Sequence, residues 1–183
     1  MFKDAFGSEE INSQKIFKAI TQFQGLMISN NSKYDKIARG EKNVNYTESE
    51  LRGLNLFTSK KCNSCHTPPL FSNFDYVNNG LSVNNILLDS GRAHITANPS
   101  DRYKFKVPSL RNVALTSPYM HDGRFNSLFE CINHYRTGIT NTENLHPLLT
   151  NGISMTNDEI NDIIEFLKTL SDNDFIKDKR FHE

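Results

Sequence analysis

The sequence predicts a mainly helical domain with long ordered loops. Apolar residues recur at helical spacing in several segments, and two of these segments begin with a capping box. No segment has the strict apolar and polar alternation of a half-buried strand. Between residues 67 and 118, Pro, Asn, Gly and Ser dominate, which predicts loop. A loop of that length in a compact domain is usually functional.

Four helices are predicted along the chain. The first lies between Asn12 and Ile28 and ends in the polar run SNNSKYDK. Its apolar face consists of Ile16, Phe17, Ile20, Phe23 and Met27. The second begins at the capping box formed by Thr47 and Glu50. Its apolar face consists of Leu51, Leu54 and Phe57.

The other two predicted helices lie in the second half of the chain, and each has an apolar face. The third spans about Ser127 to Tyr135, with Leu128, Cys131, Ile132 and Tyr135 on one face. The fourth begins at the capping box formed by Thr156 and Glu159. Its buried stripe is predicted to be Ile160, Ile163, Ile164, Leu167 and Leu170.

Length and composition exclude several classes of protein. The 183 residues are typical of one domain, since domains usually have about 100 to 200 residues. Lys plus Arg and Asp plus Glu both number 21, so the basic excess that nucleic acid selects is absent. No apolar run approaches the roughly 20 residues of a membrane span. Three cysteines, an odd number, favour a cofactor over a disulfide framework.

The segment KKCNSCHTPPLF contains the most informative motif, Cys62-Asn63-Ser64-Cys65-His66. The spacing C-x-x-C-H is typical of covalent haem c attachment, in which both sulfurs form thioethers and the histidine faces the iron. A zinc site would need a second ligand pair, and a redox dithiol would follow a strand in a βαβ unit. Neither context is present in the sequence, so we predict one haem c. Cys131 is interpreted as a small buried apolar residue.

His66 is then the proximal ligand, and a second residue is expected to bind the other face of the iron. Six residues could bind iron by their chemistry: Met120, His121, His134, Tyr135, His146 and Met155. Methionine is a common partner of histidine in small electron carriers. Spacing alone does not choose among the six.

The run from Phe105 to Tyr135, FKVPSLRNVALTSPYMHDGRFNSLFECINHY, resembles the C-terminal haem domain of the bacterial di-haem cytochrome c peroxidase and MauG family. The segments CNSCHTPPLFS, DSGR and DRYKFK and the closing helix MTNDEINDIIEFLKTL resemble the same domain, in the same order. The upstream segments FKDAFGSEEI and KAITQFQGLMISNNSKYDK resemble the link between the two haem domains. A cytochrome c-like fold around one haem is therefore expected.

The resemblance implies roles for particular residues. Cys62 and Cys65 match the thioether cysteines and His66 the proximal ligand. Many peroxidases of the family have methionine fourteen positions after the histidine of the HDG turn, where the MauG branch has a ligating tyrosine. Counting from His121, this position is Tyr135. Tyr135 is the predicted distal ligand, and Met120 and His134 are its competitors.

Further roles follow from the resemblance. The family holds a calcium ion partly through backbone carbonyls that match Thr116 and Pro118; an ordinary proline turn is the alternative. Arg111 and Lys106 match basic residues near the haem propionates; surface ion pairs are the alternative.

The resemblance also predicts the domain organisation and the function. Residues 1–45 are expected to link from an N-terminal haem domain, residues 46–175 to form the C-terminal haem domain, and residues 176–183 to be a polar tail. We expect a C-terminal piece of a periplasmic oxidoreductase that relays electrons to a peroxidatic haem in the missing domain and does not turn over peroxide alone. A small cytochrome or copper protein would donate the electrons. The chain lacks tryptophan and the features of a secretory signal. A free-standing monohaem electron carrier and a non-haem helical domain are the alternatives.

Overall fold

The computed structural model describes residues 1–83 and 88–181, and this part of the chain is mainly helical, as predicted. The α-helices are α1 (Phe2–Phe6), α2 (Ser13–Leu26), α3 (Lys33–Ala38), α4 (Glu48–Ser59), α5 (Ala93–Thr96), α6 (Leu128–Asn133), α7 (Asn157–Lys168) and α8 (Asn173–Ile176). Short 3-10 turns lie at Cys62–Ser64, Pro99–Asp101, Val113–Leu115, Pro147–Leu149 and Lys179–Phe181. No described helix is long and apolar enough to cross a bilayer.

Helices α4 and α7 form the centre of the fold. Both predicted capping boxes are confirmed: the side chains of Thr47 and Thr156 accept hydrogen bonds from the backbone N–H three residues later. The two helices approach closely because Gly53 of α4 has no side chain. A Cβ at this position would collide with the backbone carbonyl of Asp162 in α7.

The hydrophobic core lies between these helices and the loops that surround them. Phe57 of α4 and Phe166 of α7 meet with ring centroids 5.2 Å apart, and Phe71 packs 6.1 Å from each. The predicted stripe of α7 is confirmed, with Ile160, Ile163, Leu167 and Leu170 buried and Ile164 partly buried against the same core. On α4, Leu51 of the predicted apolar face is 48% exposed. The core instead receives Phe57 and, in part, Leu54.

The long loop is irregular over most of its described length but contains one feature that sequence reasoning missed. Strands β1 (Tyr76–Val77) and β2 (Phe105–Lys106) form a two-residue antiparallel pair, with Tyr76 opposite Lys106 and Val77 opposite Phe105. The prediction of loop is therefore wrong for these four residues. Strands this short cannot develop the alternation that a sequence pattern detects.

The third predicted helix changes its geometry before it ends. Ser127 caps α6, which ends at Asn133, and the chain continues in a π-helical turn, His134–Gly138. Such turns occur frequently at functional sites. Tyr135 lies in this turn.

The N-terminal segment packs against the core through α3. Tyr34 packs edge-on against Phe71 with ring centroids 4.9 Å apart, and its backbone N–H donates to the carbonyl of Thr169. In contrast, α2 has the predicted bounds, but none of its residues is buried. The division at residues 45 and 175 stays a prediction, and residues 182 and 183 of the predicted tail lie outside the described residues.

Candidate functional site

A large apolar cavity lies beside the predicted cysteine motif. It contains about 1070 Å³ of space not filled by protein atoms, part of which opens to solvent. Its apolar walls come from α4, α6, α7 and the loops between them: Phe57, Val77, Leu110, Val113, Leu128, Ile132, Leu149, Ile153, Ile163 and Leu167. Ligand sites typically have mostly apolar walls with a few polar groups. The cavity therefore suits a mainly apolar group.

The cysteine motif forms one wall of this cavity. After α4 ends, Lys61 adopts a left-handed conformation with φ 63°, and Cys62–Ser64 form a 3-10 turn. The backbone N–H of His66 donates to the carbonyl of Cys62 at 3.0 Å. This tight turn brings Cys62, Cys65 and His66 together on the cavity wall, as the motif predicts.

The imidazole of His66 is oriented as an iron ligand would need to be. Its Nδ1 lies 3.1 Å from the carbonyl oxygen of Phe71 and 3.2 Å from that of Pro108. Because both oxygens are acceptors, Nδ1 must carry the proton, which leaves the lone pair on Nε2. Burial lowers the pKa of His66, although the two carbonyls act in the opposite direction. A neutral ring with its second nitrogen bonded to backbone carbonyl is the usual state of a metal-bound histidine.

The other interpretations of the motif find less support. Burial raises the pKa of Cys62 to about 11 and also raises that of Cys65, whereas a redox dithiol needs a lowered thiol pKa. In the described part of the chain, no group of three or more His, Cys, Asp and Glu side chains could hold a metal ion. A four-ligand zinc site therefore has no basis in those residues.

Tyr135 also lines the cavity that holds the motif. The π-helical turn positions it, and its backbone carbonyl accepts a hydrogen bond from the N–H of Ile153 at 2.8 Å. Burial raises the pKa of the phenol, with the nearby Cys131 acting in the same direction and a hydrogen bond with the Asn79 side chain acting against it. Because its pKa is raised, the phenol is neutral unless a cation lies close to its oxygen.

The six residues that could bind iron separate into two groups. Tyr135, His146 and Met155 line the cavity. Met155 is 8% exposed and belongs to the core beside α7. His146 caps a 3-10 turn, where its Nδ1 accepts from the N–H of Leu148 at 3.4 Å.

The other three candidate iron ligands, His121, His134 and Met120, do not line the cavity. His121 stacks on Phe105 with ring centroids 3.7 Å apart. His134 is 4% exposed and bonds through Nε2 to the backbone carbonyl of Asn79 at 2.9 Å. Met120 accepts a hydrogen bond at its sulfur from the Asn79 side chain at 3.4 Å.

Arg111 and Lys106 lie outside the cavity wall. The guanidinium of Arg111 makes two hydrogen bonds of 2.8 Å to the carboxylate of Asp35 in α3 and a third of 2.7 Å to the carbonyl of Pro69. Its Nε is buried without a hydrogen-bond partner among the described residues. One donor of this side chain is thus available to a further acceptor. The ammonium of Lys106 lies 4.7 Å from the ring centroid of Phe74.

The predicted calcium segment is an exposed turn. Thr116 and Pro118 are both exposed, and the Thr116 hydroxyl donates to the carbonyl of Val113 at 3.2 Å. The backbone carbonyls of both residues accept no hydrogen bond from other described residues. Two such carbonyls could contribute to a calcium shell, which needs six to eight oxygens in total.

Two further residues of the cavity wall were missed as functional candidates. Asn79 contacts both Met120 and His134 and lines the cavity beside Tyr135. An asparagine in a polar loop carries no motif that could have identified it. Cys131, predicted to be a buried apolar residue, is half-buried in the same wall, where burial raises its thiol pKa to about 11.

The donor set and the cavity fit haem c. Two thiols, an imidazole protonated at Nδ1 and a phenol line one cavity whose other walls are mainly apolar. These are the elements that covalent haem attachment and axial ligation require.

Comparisons with known proteins agree with this chemistry. The family model described as di-haem cytochrome c peroxidase matches residues 1–43. Cytochrome c551 peroxidase of Nitrosomonas europaea is 36% identical over 174 residues, covering 93% of this chain and 48% of that protein. The methylamine utilization protein MauG of Methylorubrum extorquens is 35% identical over 175 residues, with the same two coverages. The chain thus spans about half the length of the curated relatives it matches.

A solved structure extends the similarity to the fold. The crystal structure of a MauG-like protein associated with microbial copper homeostasis superposes on the chain with a TM-score of 0.76 and 31% sequence identity. The match covers 98% of this chain and 63% of that one.

Proposed function

Because the chain belongs to the di-haem cytochrome c peroxidase and MauG family, we propose that it is a c-type haem domain that relays electrons to a peroxidatic haem held by another domain. The single observation that supports this most is the cavity, which Cys62, Cys65, His66 and Tyr135 all line. A large apolar cavity with these four side chains matches the needs of a six-coordinate haem c.

Each of the four residues has a separate role in this proposal. Cys62 and Cys65 would hold the haem through thioethers, and His66 would bind the iron through Nε2. Tyr135 would supply the second iron ligand. When bound, the haem would supply reversible one-electron transfer. With both His66 and Tyr135 as iron ligands, peroxide would find no open position in this chain, and peroxide turnover would require another domain.

The residues around the cavity complete the proposed site. The partnerless Nε of Arg111 is available to a haem propionate, and the unbonded carbonyls of Thr116 and Pro118 are available to calcium. Haem c is attached outside the cytoplasm, so the protein is proposed to work in the periplasm. Its electron donor is a small cytochrome or copper protein.

Tyr135→Phe tests the axial arrangement. The variant, produced in a host that attaches haem c, should lose the ferric spectrum of tyrosine-bound haem and give five-coordinate or water-bound iron, because phenylalanine has no oxygen donor. Visible absorption and electron paramagnetic resonance of the ferric protein measure this change.

Tyr103→Phe is the matched control, since Tyr103 does not line the cavity. Its spectrum should equal that of the parent chain. A spectrum unchanged by Tyr135→Phe would mean that another residue binds the iron.

A further inference from the structure

Asn79 contacts two of the alternative iron ligands and shares a wall with the proposed one. Its Nδ2 donates to the Met120 sulfur at 3.4 Å, and its backbone carbonyl lies 2.9 Å from Nε2 of His134. The ring of His134 in turn meets that of Tyr135 edge-on, with centroids 5.2 Å apart. Asn79 and Tyr135 both line the cavity.

These contacts occupy the donor atoms of the two competitors. Nε2 of His134 must be protonated to donate to a carbonyl, so it has no lone pair for iron. Its other ring nitrogen faces Gly138, where a Cβ would lie 2.8 Å away. The Met120 sulfur accepts one N–H of the Asn79 amide. Since a primary amide has two N–H donors, the second remains for the oxygen of Tyr135.

The backbone around Asn79 is fixed independently of these contacts. The preceding residue, Asn78, is 2% exposed, and its side chain donates to the hydroxyl of Thr142 and the carbonyl of Glu143, both at 2.9 Å. The following residue, Gly80, has φ 74°, and its carbonyl accepts from the N–H of Thr140 at 2.8 Å. Because both neighbours are fastened to the 140–143 loop, the Asn79 side chain starts from a defined position.

We propose that Asn79 is a positioning residue that directs Tyr135 to the iron and keeps Met120 and His134 away from it. The proposal deepens the proposed function and rests on it, since Tyr135 is the distal ligand there. Asn79 thus selects one iron ligand from the three candidates clustered at the end of α6 and the HDG turn.

Asn79→Ala, Met120→Leu and the double variant test this role in the haem-loaded chain. Electron paramagnetic resonance and visible absorption of the ferric protein report which ligand binds. Asn79→Ala should add a second ferric species in which Met120 binds the iron, because the Met120 sulfur is released and Tyr135 loses its partner. That species should be absent from the double variant. Met120→Leu alone should match the parent, because its sulfur is held off the iron.

Three results would overturn the proposal: a parent-like spectrum for Asn79→Ala, persistence of the second species in the double variant, or a changed spectrum for Met120→Leu alone. The spectrum of Met120→Leu still tests the proposal if Asn79→Ala fails to fold. Far-UV circular dichroism would detect such a folding failure. Asn161→Ala, on the exposed side of α7, is the matched control and should leave the spectrum unchanged. An unchanged Tyr135→Phe spectrum instead marks failure of the proposed function, so the two failures are distinguishable.

Discussion

Helices α2 and α7 both have an apolar face in the sequence, but they differ in what those faces contact. On α7, Ile160, Ile163 and Leu167 are at most 4% exposed. On α2, Ile16, Phe17, Ile20 and Phe23 are 40 to 64% exposed, and no residue of the helix is buried. Both helices begin at a side-chain cap, Asn12 for α2 and Thr156 for α7.

The difference between α2 and α7 shows that helix formation and burial have separate causes. Periodicity and capping are local, so they predict that a helix forms and which of its faces is apolar. Burial depends on a partner elsewhere in the chain. For α7 the partner is α4, whose Gly53 permits close approach. In contrast, α2 has no buried residue, and its Phe23 ring meets only the edge of Phe181, with centroids 5.9 Å apart, among the described ring contacts.

Ile163→Ala should have the largest effect on stability. Ile163 is 2% exposed and lines the cavity beside the cysteine motif, so truncation should lower the free energy of unfolding by about 2 to 5 kcal/mol. Urea unfolding of the haem-loaded chain, followed by circular dichroism, measures this. Phe17→Ala on α2 is the control: Phe17 is 64% exposed, and its loss should change stability by no more than about 0.5 kcal/mol. Equal losses in both variants would mean that α2 is covered in solution.

Asp35→Asn should have a smaller effect, which depends on pH. Burial alone would raise the pKa of Asp35, but the hydrogen bonds from Arg111 and Ser32 outweigh it and lower the pKa. A carboxyl with a lowered pKa stabilises the fold above its unfolded pKa of about 4 and loses this contribution as the pH falls further. The variant should therefore be less stable by about 1.5 to 3 kcal/mol at pH 7, and the difference should shrink below about pH 4.

Urea unfolding from pH 7 down to pH 3 checks this dependence. Glu165→Gln is the control, because its ion pair with Lys168 is exposed and worth at most about 1 kcal/mol. A constant difference across the pH range would contradict the role of the Asp35 and Arg111 pair. Since Asp35 lies in α3, the result also measures how firmly the N-terminal segment joins the core.

The parts of the structure that the sequence predicts are those with local signals. The capping boxes, the stripe of α7 and the C-x-x-C-H motif each lie within a few consecutive turns of chain. Tyr135 was identified through its spacing from His121 in a resembling family, and not through its own chemistry.

The parts that were missed depend on residues distant in sequence. Arg111 pairs with Asp35 across 76 positions, a contact that no local pattern indicates. Asn79 reaches Met120 and His134 only because the 140–143 loop fixes its neighbours. The exposure of Leu51 likewise depends on which side of α4 meets α7.

The intact mass of the chain tests the central claim, covalent haem at Cys62 and Cys65, most directly. The protein should be purified from a host that attaches haem c and compared with Cys62→Ala/Cys65→Ala, with Cys131→Ala as the matched single-cysteine control. The parent and Cys131→Ala are expected to carry the added mass of one haem, which the double variant lacks. A parent chain without the added mass, or a double variant that retains it, would contradict the account.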